Sequence, residues 1–327
     1  MKLSHRREFL HLAASAAALP LVSQSALAQA YPNRPVRLIV GFAAGGVVDV
    51  FARLIGQWLS ERLGQQFVVE NRTGAAGNLA TEAVAKAPAD GYTLLQMVNV
   101  QAINATLYEK LTFNFLADIA PVASSYRGSS SVVVVNPNFP VKTIPELIAY
   151  AKANPGKVTM ASAGIGSGQH IYGELFKMLA GVDLLHVPYR SAPQALTDLI
   201  GGQVQIIFDP LANVLENVKA GKLRALAVTS VKRSALLPNV PSVSEFVRGY
   251  EASGWQGIGA PKNTPAAVIT RLNREINAGL ADPKIMARFA ELGYEPYTTT
   301  PAEFSKFVAD ETEKWGRVIR TANIKAE

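Results

Sequence analysis

Cysteine is absent from all 327 residues, and that single absence excludes several classes of protein. No disulfide framework, thiolate metal site, cysteine nucleophile or lipidated cysteine anchor can be built. Histidine is nearly as scarce, at four residues, and with no accompanying carboxylate cluster it offers no metal-ligand set. Charged residues make up only 17% against 49% hydrophobic, which excludes a disordered tail. Past the N-terminus no apolar run reaches the ~18 residues that a membrane-spanning helix needs. At ~100–200 residues per domain, the length leaves room for about two domains. The net charge of +7 is scattered along the chain, so nucleic acid is not an expected partner.

What is present begins with an export signal. His5-Arg6-Arg7-Glu8-Phe9-Leu10 is a twin-arginine pair with an aliphatic follow-on, and residues 12–22 are apolar but too short to span a bilayer. Two small-x-small sites, Ala26-Leu27-Ala28 and Ala28-Gln29-Ala30, then precede Tyr31-Pro32. We read residues 1–30 as a signal of the twin-arginine kind, cleaved after Ala28 or Ala30. Sec export is the alternative, because His5 stands where twin-arginine signals usually carry Ser or Thr. With no cysteine to lipidate, the exported product is expected to be soluble and retained in a Gram-negative periplasm.

The remainder alternates strands and helices. Val36-Arg37-Leu38-Ile39-Val40 reads as a strand, and Phe51, Leu54, Ile55, Trp58, Leu59 and Leu63 then recur at helical spacing before Gly64. Further strands are predicted at 67–69, 93–98, 132–135, 158–161, 184–187, 204–208, 223–229 and 256–259. Thr143-Ile144-Pro145-Glu146 reads as a capping box. Thr264-Pro265, Asp282-Pro283 and Thr300-Pro301 mark later helix starts, with Thr or Asp as the cap and Pro at the first helical position. The rhythm predicts an α/β fold of parallel sheets covered by helices. Two lobes are expected, 31–132 plus 254–327 and 133–253, joined by two crossovers with a ligand cleft between them.

Three glycine-rich turns carry the chemistry: Gly41-Phe42-Ala43-Ala44-Gly45-Gly46, Gly74-Ala75-Ala76-Gly77 and Gly164-Ile165-Gly166-Ser167-Gly168. Each follows a strand and opens a helix, where free backbone N–H groups and the helix dipole suit an anion. Their spacing fits neither the P-loop, the dinucleotide fingerprint nor the nucleophile elbow. Ser167 and His170, three apart at a helix start, read as ligand donors ahead of a catalytic pair, and as a plain cap and first-turn residue otherwise. His186, between Leu185 and Val187, reads as structural. Asp209 before Pro210 reads as a helix N-cap that also stands at a strand end facing the cleft. Asp49 falls in a first helical turn, and Tyr189 follows a strand where it can cover the cleft or face solvent. No metal and no cofactor is expected.

These segments resemble the Bug-type, TctC-like solute-binding proteins, the extracytoplasmic receptors of tripartite tricarboxylate transporters. The resemblance rests on Tyr31-Pro32-Asn33-Arg34-Pro35-Val36, the 41–49 loop, Val69-Glu70-Asn71-Arg72-Thr73-Gly74-Ala75-Ala76-Gly77 and Ala87-Pro88-Ala89-Asp90-Gly91-Tyr92. It continues in Gly173-Glu174-Leu175-Phe176, His186-Val187-Pro188-Tyr189-Arg190, Asp198-Leu199-Ile200-Gly201-Gly202 and the 220–229 segment, and so covers the whole chain after residue 30. Ala44 and Ser191 depart from it, where the family usually carries Pro and often Gly. The resemblance implies a type II periplasmic-binding fold closing on a small mono-, di- or tricarboxylate. It implies a grip by backbone amides of the first two loops with bridging waters, and a contribution from the Ser167–His170 helix start. Large and small permease subunits are the implied partners of a monomer. The expected ligand contacts are Phe42, Ala43, Ala44, Gly45, Gly46, Asp49, Ala75, Ala76, Gly77, Gly166, Ser167, His170, Tyr189 and Asp209. The alternatives are an exported hydrolase using Ser167 and His170, and a sensor that presents its ligand to a signalling partner.

Overall fold

The computed structural model describes residues 31–326; the export signal expected at 1–30 lies outside them. Two sheets share one long strand. In the first lobe, β1 (Val36–Val40) pairs in parallel with β2 (Phe67–Asn71) and β3 (Thr93–Val98). β9 (Ser253–Pro261) then runs antiparallel to β3, and β4 (Ile119–Val135) antiparallel to β9. In the second lobe, β5 (Thr159–Ser162) pairs in parallel with β6 (Leu185–Pro188) and β7 (Ile206–Pro210). The far half of β4 lies antiparallel between β7 and β8 (Arg224–Val228). Each lobe therefore repeats one plan: three parallel strands, one antiparallel strand, and a fifth on the edge. β4 closes the first sheet and supplies the antiparallel strand of the second, while β9 supplies the antiparallel strand of the first. This is the type II periplasmic-binding arrangement the sequence leads one to expect.

The sheets are not wholly parallel, however, and β4 is far longer than the 132–135 run that hydrophobicity reveals. Residues 119–131 are mostly small or polar, and their strand character comes from pairing with β9 across three register shifts. That seam needs glycine: a Cβ on Gly257 would stand 2.5 Å from the Ala123 carbonyl oxygen and 2.4 Å from the Phe304 ring.

Helices α1 (Val47–Leu63), α2 (Asn78–Ala85), α3 (Asn99–Leu107) and α4 (Phe115–Asp118) belong to the first lobe. Helices α5 (Ile144–Ala153), α6 (Gly168–Ala180), α7 (Ala192–Ile200) and α8 (Leu211–Lys219) cover the second. The C-terminal α9 (Ala266–Leu280), α10 (Pro283–Glu291) and α11 (Pro301–Thr321) follow β9. Local capping sets several starts. Thr300 accepts from Glu303 N while Glu303 reaches back to Thr300 N, and Asp282 accepts from Lys284 N and Ile285 N. Three expected caps differ, that of Asp209 before Pro210 included. Thr264 donates to the Pro261 carbonyl, so α9 starts after Pro265 with no side-chain cap. Glu146 reaches past Thr143 to the Lys142 N–H, leaving half a capping box.

α9 and α10 pack on the first lobe through Leu272, Ile276, Ile285 and Phe289. α11 does more, since its Trp315 is fully buried and stacks on Tyr172 of α6 at 5.4 Å. One apolar cluster consequently runs from Ile39 and Ile103 in the first lobe to Phe176 and Phe208 in the second. Fully burying a side chain of this size stabilises by roughly 1.5–3 kcal/mol, so α11 ties the two lobes together through their common core.

Candidate functional site

In the first lobe the 41–46 loop is assembled around Asp49. One carboxylate oxygen accepts from Gly45 N at 2.9 Å and Arg53 Nε at 2.8 Å, and the other from Asn71 Nδ2 at 2.9 Å. Asn71 also donates to the Phe42 carbonyl. Burial alone would raise the Asp49 pKa, but the hydrogen bonds from Arg53, Gly45 and Asn71 outweigh it and hold the pKa at about 2. Asp49 is thus buried and fully engaged within its own loop, while Ala43, Ala44, Gly45 and Gly46 remain exposed at the start of α1.

The second loop lies directly against the first. A Cβ on Gly41 would come within 2.8 Å of the Gly77 Cα, and one on Gly77 would lie 3.5 Å from the Phe42 ring. Three consecutive residues, Ala75 (φ 46°), Ala76 (φ 51°) and Gly77 (φ 86°), take left-handed backbone. For an alanine this costs about 1–2 kcal/mol, and it persists only where the surroundings over-determine it. Part of that constraint is Asn104 of α3, whose Nδ2 donates to the Ala76 carbonyl at 3.0 Å and to Asn78 Oδ1 at 2.8 Å. Gln101, one turn earlier on α3, accepts from Val98 N at 2.8 Å. The starts of α2 and α3 therefore meet around residues 75–77, with Gly41 and Phe42 of the first loop against them.

In the second lobe the 163–167 loop leaves β5 and enters α6. Ser167 caps the helix, accepting from His170 N and donating to the Gly164 carbonyl at 2.7 Å. His170 Nδ1 accepts from Gly166 N at 3.1 Å, so the proton of the neutral ring sits on Nε2, 3.7 Å from Glu174 Oε1. His186 stacks flat on His170, with ring centres 3.7 Å apart, and its Nε2 meets Ser162 Oγ at 2.7 Å. Burial, aided by Lys177 and for His170 by His186, lowers His170 to about 3 and His186 to about 4. The ring nitrogens of His170 do not meet Ser167, so the nucleophile–base bond of a serine hydrolase is not formed.

Asp209 closes this loop from behind. It lies within β7 and the residue before α8 is Pro210, so Asp209 is not the cap the sequence suggests. Its Oδ1 accepts from Gln169 Nε2 and Asn213 Nδ2, and Gln169 Oε1 accepts from Ala163 N at 2.5 Å. Its Oδ2 is buried without a hydrogen-bond partner, and burial raises the pKa. Tyr189 extends the β5–β6 pairing through its N–H, and its hydroxyl donates to Asp198 of α7 at 2.7 Å. Burial and that carboxylate raise the Tyr189 hydroxyl to about 12.

The lobes meet at α3. A Cβ on Gly166 would fall 2.2 Å from Leu107 Cδ2, and Asn99 Nδ2 donates to the Tyr172 hydroxyl at 2.9 Å. Sequence reasoning brings forward the glycine turns but misses Asn78, Gln101, Asn104, Gln169 and the pairing of the two histidines. One signal was available, because Gln101 and Asn104 stand three apart on a helix that opens directly from a strand. A separate cavity of about 160 Å³, lined by Ser124, Arg127, Tyr297 and Phe307 among others, includes none of these residues. Among the described residues no group of three or more histidines and carboxylates could hold a metal.

Two α/β lobes sharing crossover strands, with glycine-rich helix starts in both, define a two-lobed solute-binding protein of the periplasmic-binding class. In open α/β sheets the carboxyl ends of the strands, where these turns lie, are where ligands bind. The chain belongs to the tripartite tricarboxylate transporter family of receptors, which matches residues 51–324. It is 39% identical over 303 residues to protein BugT of Bordetella pertussis, covering 91% of this chain and 92% of BugT. Among solved structures, Rpa4515 of R. palustris with adipate aligns at TM-score 0.75 and 36% identity, over 90% of this chain and 99% of that one. MatC from Rhodopseudomonas palustris with bound malate aligns at 0.72 and 30% identity, over 88% and 100%. Among the described residues no helix is long and apolar enough to cross a membrane.

Proposed function

We propose that this protein is a soluble, monomeric periplasmic receptor, exported by a twin-arginine signal in residues 1–30, that captures a small carboxylate between its lobes. It delivers that ligand to a permease of one large and one small membrane subunit, and does no chemistry of its own. The observation that carries the reading is the convergence of helix starts and neutral amide donors around the strained 75–77 turn. An anion is the natural complement of such a site, since hydrogen bonds to a charged group contribute about 1.5–3 kcal/mol each. Adipate and malate in the two aligned structures support the carboxylate class. Backbone donors of residues 43–46 and 75–77 grip the ligand from one lobe, and the 166–170 helix start meets it from the other. Phe42 and Tyr189 flank the cleft, while Asp49 and Asp209 act by holding the two loops in shape. Domain closure on the ligand is a hinge motion through the β4 and β9 crossovers.

Thermal unfolding of the chain from Tyr31, against small carboxylates at millimolar concentration, tests this. A ligand at ~100 times its dissociation constant should add about 2.7 kcal/mol, seen as a rise of several degrees. No shift across succinate, malate, adipate, glutamate and citrate, in protein stripped of co-purified ligand, would overturn the carboxylate reading.

A further inference from the structure

Three side-chain amides surround the 75–77 turn, and backbone partners fix which way each one points. Asn104 donates to the Ala76 carbonyl, so its nitrogen faces the turn, and the same nitrogen donates to Asn78 Oδ1. Since Asn78 presents its oxygen to Asn104, its Nδ2 must face the other way. That nitrogen is buried and has no acceptor. Gln101 is fixed by the same logic. Its Oε1 accepts from Val98 N, which turns Nε2 away from the helix start, buried and again without an acceptor. Neither amide can rotate to relieve this. Flipping Asn78 sets its N–H₂ against the Asn104 N–H₂, and flipping Gln101 sets its N–H₂ against the Val98 N–H.

Both side chains are at most 6% exposed, and a buried polar group left without a partner calls for an explanation. Their place supplies one. Gln101 Nε2 lies 3.8 Å from where a Cβ on Gly77 would stand, beside the strained turn and at the side of Gly77 that the Phe42 ring borders. The nearby cations are committed elsewhere, Arg53 to Asp49 and Arg72 to Glu70. The turn is thus faced by two uncharged N–H₂ groups without acceptors; the one unpartnered amide oxygen of the set, Asn104 Oδ1, is turned away from the Ala76 carbonyl by the Asn104 N–H₂ bond to it.

We propose that Gln101 Nε2 and Asn78 Nδ2 are ligand-reading donors of the first lobe, and that they make the receptor select an ionised carboxylate over its carboxamide. A carboxylate offers only acceptors and satisfies both nitrogens. A carboxamide of the same shape sets its own N–H₂ against one of them, leaving that donor unpaired. This selectivity rests on the carboxylate-receptor reading and adds the two side chains that enforce it.

The test pairs titration calorimetry with isosteric variants, using protein stripped of ligand and the carboxylates succinate, malate, adipate, glutamate and citrate. Gln101→Glu and Asn78→Asp keep the oxygens that accept from Val98 and Asn104 but replace each free N–H₂ by a carboxylate oxygen. Gln101→Met removes the donor without adding charge. At about pH 8 each variant should bind the best carboxylate roughly 10- to 100-fold more weakly, the loss of one hydrogen bond to a charged group. The unaltered protein should bind the matching diamide, such as adipamide or malamide, at least as much more weakly, a comparison that needs no variant to fold. Equal binding of carboxylate and diamide, or variants that fold and bind like the unaltered protein, overturn this inference alone. Unaltered protein that binds no carboxylate of the panel overturns the receptor reading and this inference with it.

Discussion

Acidification should weaken this fold through the stacked pair of imidazoles in the second lobe. His170 and His186 sit against each other and are held neutral, at about 3 and about 4, by burial first and by nearby positive charge second. In the unfolded chain both titrate near the ordinary imidazole value of about 6.5. A base whose folded value is depressed stabilises fully above its unfolded value, and that stability is lost as pH falls from there toward the folded one. Between about pH 7.5 and pH 5 the unfolded chain takes up a proton at each histidine while the folded one does not, which removes on the order of 2 kcal/mol per residue and about 4 kcal/mol for the pair. Against a typical total of about 5–15 kcal/mol, such a loss is readily measured. Glu174 faces His170 at 3.7 Å but is already bound to Lys177, so it does little to welcome the added charge. Protonating His170 Nδ1 would also set an N–H against the Gly166 N–H, loosening the loop that opens α6. Urea unfolding at a series of pH values measures the slope directly. The control is His170→Asn with His186→Gln, which keeps acceptors near Gly166 and Ser162 but removes both titrating rings. A flat profile between about pH 7.5 and 5, or a double variant that falls as steeply as the parent, would refute the reasoning.

Further predictions concern the braces behind the loops. Asp49→Ala leaves Gly45 N and Arg53 Nε without their acceptor and takes one of the two acceptors of Asn71 Nδ2; it should lower unfolding stability by about 2–4 kcal/mol, and a loss under about 1 kcal/mol would show that the loop stands without it. Gly166→Ala places a methyl 2.2 Å from Leu107 Cδ2 at a φ of 77°. It should cost about 1–2 kcal/mol in backbone strain beyond the clash, and Leu107→Ala in the same chain should recover the clash but not the strain, as a double-mutant cycle would reveal. Asp209→Asn keeps the oxygen that Gln169 and Asn213 use and removes a charge that burial disfavours. Because the folded pKa of Asp209 is raised, the carboxyl opposes folding increasingly as pH climbs above its unfolded value of about 3.8, so the variant should match or exceed the parent at about pH 8. A clear drop in its denaturant midpoint there would count against that sign.

The candidate site was legible in part because some of its physics is local. A strand that runs into Gly41 or Ala163 and opens a helix a few residues later announces free N–H groups whatever the rest of the chain does. Ser167 capping α6, Asp282 capping α10 and the Thr300–Glu303 box depend on contacts within one turn, and their spacing alone identifies them. Thr264 and Asp209 carry the same local signature but lose it to other partners. Thr264 turns back to the Pro261 carbonyl, and the Asp209 carboxylate is taken by Gln169, forty residues earlier.

From the sequence alone came the strand–loop–helix units, the two-lobed α/β plan and the uncharged character of the glycine-rich turns. Hydrophobic period and cap chemistry are properties of neighbouring residues, so they survive without knowledge of the fold. Tertiary structure alone decided that the small and polar stretch 119–131 is a strand, that His186 lies flat on His170, and that the Asn104 amide fixes which way the Asn78 amide is turned. Each of these depends on a partner distant along the chain or on which way a side chain is turned, and a period of two or 3.6 residues carries no information about either.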